Sequence, residues 1–111
     1  MKLVLVAVAS LLFTNSASSE EISVSCAFST MRIFASYVEA KESGASLVDS
    51  QLQLQQKIEN ARSRGNPHVA NAEGWHQLLK AVYASSGEPE AIDRVVNDCI
   101  RTVTKLERKE T

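Results

Sequence analysis

The segment Pro89 to Arg108, PEAIDRVVNDCIRTVTKLER, decides the fold. Its apolar residues Ile92, Val95, Val96, Cys99, Val103 and Leu106 recur at i, i+3, i+4 and i+7, the spacing that gathers one buried stripe along a helix. Acids crowd its start (Glu88, Glu90, Asp93) and cations its end (Arg101, Lys105, Arg108, Lys109), and both sets suit the helix dipole. Cys99 lies in the middle of the stripe. The second of the two cysteines, Cys26, falls near the start of the first helical pattern, so a Cys26–Cys99 disulfide is expected to tie the two ends of the domain together.

Working back from that segment, Ser85-Ser86-Gly87-Glu88-Pro89 reads as a loop ending in proline at the first position (N1) of the last helix. A third helix is predicted from His68 or Asn71 to Ala84, with Ala72, Trp75, Leu78, Leu79, Val82 and Tyr83 on its inner face. Gly74 weakens its first turn by up to about 1 kcal/mol relative to alanine, which blurs where it begins. Before it, Ser46 is a candidate N-cap with Asp49 three residues on, and Leu47, Val48, Leu54, Ile58 and Ala61 follow helical spacing. Leu52-Gln53-Leu54-Gln55 alternates as a strand would. The good helix formers around it and the scarcity of β-branched residues favour helix. Gly65 and Pro67 end this element and begin the next.

The first helix is predicted from Ile22 to about Glu42, capped by Gly44. Its inner stripe is read as Val24, Ala27, Phe28, Met31, Phe34, Ala35 and Val38, with Ile33 and Tyr37 on the flank shared with Cys26. Four helices joined by short loops favour antiparallel neighbours and give an all-α fold, a small bundle. An even number of antiparallel helices returns the last to the side of the first, which is what the disulfide requires.

Upstream, Met1-Lys2 precedes an apolar run from Leu3 to Phe13 and then small polar residues. This is the pattern of a secretory signal peptide, expected to span residues 1–17 with cleavage near Ala17 and to leave residues 18–111 as a single helical domain. The alternative is an uncleaved anchor, but a spanning helix needs about twenty apolar residues and this run is shorter. Removing residues 1–17 takes one lysine and no acid, so the formal charge moves from −1 to −2. A near-neutral chain lacks the basic excess that general nucleic-acid binding needs. The expected destination is the periplasm or the medium, where two cysteines on core-facing stripes bond instead of remaining free thiols. Closing so long a loop contributes about 4 kcal/mol in the chain-entropy model, comparable to the net stability of a small domain.

No set of residues in the sequence points to catalysis, a metal or a cofactor, and the chain is read as non-enzymatic. Ser46, Ser85 and Ser86 sit in caps and turns, outside any G-x-S-x-G elbow. His68 and His76 are eight residues apart on one helical pattern, too far to share an ion; both are read first as surface histidines, with pH sensing as the alternative, Glu73 lying three residues before His76. Trp75, Tyr83 and Tyr37 are read first as core, with an aromatic ligand pocket or interface anchor as the alternative. The basic bias of RTVTKLERKET is read first as a solvated helix end, with a membrane-surface or acidic-partner contact as the alternative.

In layout, a signal peptide followed by a short helical domain with one disulfide, the chain resembles small periplasmic helical proteins such as acid chaperones of the HdeA type and some immunity proteins against secreted effectors. The resemblance is one of architecture, so no functional positions follow from it. The missing catalytic set together with a disulfide-stapled scaffold leads to the expectation of an exported, non-enzymatic protein that presents a helix face to a protein partner, as an inhibitor or immunity-type binder, with an acid- or stress-responsive chaperone as the alternative. Neither the partner nor the oligomeric state can be read from the sequence.

Overall fold

A computed structural model describes residues 18–110. The expected signal peptide lies outside the described residues. Four α-helices follow one another: α1 (Ser19–Glu42), α2 (Leu47–Ser63), α3 (Ala72–Ala84) and α4 (Glu88–Glu110), with a 3-10 segment at Pro67–Asn71 leading into α3. No strand occurs among the described residues, so the alternation at Leu52–Gln55 yields to helix propensity.

The ends are set by local chemistry. Ser18 and Ser46 cap α1 and α2, their hydroxyls accepting the backbone N–H of Glu21 and Asp49, each at 3.1 Å. At the far end of α1, Gly44 takes φ +93°, which lets its N–H reach the Lys41 carbonyl and that of Ala45 reach the Ala40 carbonyl. Asn66 accepts the N–H of His68 and so caps the 3-10 segment that Pro67 opens.

The short α3 is the centre of the molecule. Leu78 and Val82 pack with Val95, Ala91 and Ile92 of α4 and with Ile33, Phe34, Tyr37 and Val38 of α1. On its other side, Leu79 meets Leu54 and Ile58 of α2, closed over by Tyr37, Leu47, Val69, Ala72, Trp75 and Tyr83. Gly74 is buried where α3 crosses α4, and a Cβ there would lie 3.1 Å from Asp98 Oδ2 and 3.7 Å from Val95 Cγ2. The glycine costs helix propensity and permits this close crossing.

At 1.5 Å per residue, α1 and α4 are roughly 35 Å long and α3 about 20 Å. The long pair therefore outreaches the core. The N-terminal half of α1 lies on the C-terminal half of α4 as a two-helix arm, facing it with Ile22, Cys26 and Thr30, all buried. The Cys26–Cys99 disulfide closes this arm, with Cα atoms 5.7 Å apart and a sequence separation of 73. Thr30 is tolerated there because its hydroxyl donates to the Cys26 carbonyl at 2.7 Å.

One expectation from the sequence is overturned. Val24, Phe28 and Met31, read as the inner stripe of α1, are 65%, 68% and 47% exposed, and Ala27 and Ala35 are exposed beside them. The inner face is the flank carrying Cys26, Ile33 and Tyr37, joined by Phe34 and Val38, the two residues of the expected stripe that do pack in the core. The disulfide fixes the rotation of α1 about its axis, and the arm has no third helix to cover its outer side. Val48 on α2, also expected inside, is 62% exposed. Of the expected stripe on α4, Val95 is buried and Ile92, Val96, Cys99 and Val103 are half-buried, while Leu106 near the end of the arm is open to solvent.

Candidate functional site

Two features of the surface are not accounted for by folding. The first is the outer stripe of α1. Val24, Phe28, Met31 and Ala35 are separated by four, three and four residues, which keeps them on one line of the helix. α1 is thus apolar on two faces, one spent on α4 and α3 and the other facing solvent. Exposed apolar residues scattered singly are ordinary, whereas these four form a continuous line along one side of the helix.

The second is a groove where α1 and α2 diverge over α3. It encloses about 420 Å³ and is lined by Ser29, Arg32, Ile33, Ser36 and Tyr37 of α1, Leu54 and Lys57 of α2, and Trp75 of α3. Its floor is apolar and its rim carries two cations; no acid lines it. Burial raises the Tyr37 hydroxyl well above its ordinary value near 10, so it remains a proton donor throughout the physiological range.

The groove holds its shape through polar ties behind it. Tyr83 donates to the Ala45 carbonyl and accepts from Ser50, both at 2.8 Å, pinning the α1–α2 loop and α2 onto α3. Lys41 of α1 donates to the Val82 carbonyl at 3.0 Å and to Ser85 Oγ at 2.7 Å, capping the end of α3 where Ser85 turns to φ +53°. Asn71 donates to Thr102 Oγ1 at 2.9 Å and joins the start of α3 to α4. Asp98, buried in α4, pairs with Arg101 and lies 3.9 Å from Arg94.

The residues singled out in the sequence are dispersed among these roles. Trp75 and Tyr37 come together at the groove, whereas Tyr83 belongs to the ties behind it. His76 Nε2 lies 3.3 Å from Gln55 Oε1 of α2 and forms no pair with Glu73. His68 is held by its backbone in the 3-10 segment. Ser46 and Ser85 serve as cap and tie, and Ser86 donates its backbone N–H to the Ala81 carbonyl at the end of α3. Among the described residues, no cluster of three His, Cys, Asp or Glu is placed to hold a metal ion. Nor is any helix there long and apolar enough to cross a membrane. Arg32 and Lys57 carried no signal in the sequence that would have singled them out, and the outer stripe was visible there but was read as the inner one.

Fold and surface together define an all-α domain of four helices with a disulfide-closed arm, an apolar outer stripe and a cationic groove. Comparison with protein-family models, curated proteins and solved structures gives no match to this chain.

Proposed function

We propose that this chain is a non-enzymatic exported protein that binds a protein partner through the outer stripe of α1, as an inhibitor or immunity-type binder does. The observation that carries the reading is the solvent exposure of Val24, Phe28 and Met31 on a helix whose other face is already buried. The disulfide supports it physically: a helix held to its neighbour by a covalent bond presents its outer side chains with little ordering left to do on binding. Ser46 and Ser85 are engaged in a cap and a tie, and the His76 ring lies against Gln55, which favours binding over chemistry.

An acid-loosened chaperone would use the same residues. The stripe is open in the folded molecule, however, so contact through it needs no loosening by acid, and the partner-binding reading is preferred. The test uses the oxidised protein as bait in a periplasmic or secreted extract, beside the variant V24Q/F28Q/M31Q. A partner retained at 1:1 stoichiometry by the parent and lost by the variant is the expected result. Recovery of the same proteins by both, or protection of an acid-denatured client without any stoichiometric partner, would overturn the reading.

A further inference from the structure

The groove between α1, α2 and α3 carries an inference independent of the outer stripe. Its floor of Ile33, Leu54, Trp75 and the Tyr37 ring offers apolar contact, and its volume of about 420 Å³ falls within the range of about 300–1,000 Å³ typical of small-molecule sites. Neither Arg32 nor Lys57 forms an ion pair or hydrogen bond with another described residue. Two unneutralised cations on one rim stand out in a chain whose formal charge is −1. The Tyr37 hydroxyl and the Trp75 indole N–H likewise have no partner within the described protein and remain available as donors.

Charge decides the class of occupant. A cation would be repelled by Arg32 and Lys57 with no carboxylate to receive it. A small, wholly polar anion would leave the apolar floor in water. An acid head on an apolar body satisfies both parts at once: the planar guanidinium matches a carboxylate fork, the ammonium adds a second charge, and the body covers Leu54 and Trp75. We propose that this groove binds a free single-chain amphiphile bearing a carboxylate, its head held by Arg32 and Lys57 and its chain laid over Ile33, Leu54 and Trp75.

Trp75 is the sole tryptophan of the chain, so its fluorescence reports on the groove directly. The full chain is expressed, recovered oxidised, and titrated with decanoate below its micellar concentration, with calorimetry in parallel. The expected result is a saturable change at one decanoate per chain, at least tenfold weaker in R32Q/K57Q, absent with decylammonium or acetate, and unchanged in F28Q. Both cations are exposed, so R32Q/K57Q should retain the parent's circular dichroism and unfolding midpoint, which separates lost binding from lost fold. The proposal is overturned by the absence of saturation with decanoate, by equal binding of decylammonium, or by unchanged affinity in R32Q/K57Q. Loss of binding in F28Q, which would place the amphiphile on the outer stripe, overturns it too, as does binding to phosphatidylglycerol vesicles without binding of monomeric decanoate.

Discussion

Single hydroxyls hold this small molecule in register. Tyr83 joins three segments through one oxygen, donating to the loop at Ala45 and accepting from Ser50. Tyr83→Phe keeps the ring in the core and leaves the Ala45 carbonyl without its donor. It is expected to cost about 1–2 kcal/mol in urea unfolding, and an unchanged midpoint would mean that the loop is held by something else. Tyr37 makes a different prediction. Its folded-state pKa is raised above the unfolded value near 10, so the folded form retains its proton where the unfolded chain has released it. The stability this represents is complete below pH 10 and declines as pH rises toward the folded value. Unfolding measured from pH 8 to 11 should therefore show an alkaline loss that is shallower in Tyr37→Phe. Gly74, Asp98 and Asn71 belong to the same scale and were not legible in the sequence. Glycine early in a helical pattern reads as a weakness until its close approach to Asp98 and Val95 is known.

At the scale of elements, what was local was legible. Ser46, Gly44, Gly65 and Pro67 mark boundaries because each acts on backbone groups within a few residues of itself, and the structure places the boundaries there. Ser46→Ala should cost about 1 kcal/mol by removing the acceptor for the Asp49 N–H; thermal unfolding checks this, and no loss would show the cap to be redundant. Which side of α1 faces inward was not legible. Val24, Phe28, Met31 and Ala35 form a more apolar line than Ile22, Cys26, Thr30, Ile33 and Tyr37, and periodicity alone selects the more apolar line. The weaker line is buried because Cys26 must meet Cys99 and because Thr30 satisfies its own hydroxyl on the preceding turn. The groove was illegible for another reason: it exists where α1 and α2 part, and sequence spacing carries no information about the gap between two helices.

For the whole molecule, the disulfide divides the labour. The core around α3 is closed by its own side chains, whereas the arm of α1 and α4 buries only one line of residues on each helix and is completed by the covalent bond. Replacing both cysteines with alanine should cost about 4 kcal/mol by the loop-entropy argument. Amide exchange should accelerate first in residues 19–30 and 97–108, while Leu78 and Leu79 of α3 keep the slowest rates; uniform acceleration would mean that arm and core unfold as one unit. The outer stripe is proposed to serve a partner and not the fold. Urea unfolding of the oxidised F28Q/M31Q protein tests this most directly. A stability within about 0.5 kcal/mol of the parent is predicted, as for exposed positions generally, and a loss of about 2 kcal/mol or more, the cost of removing buried side chains, would contradict it.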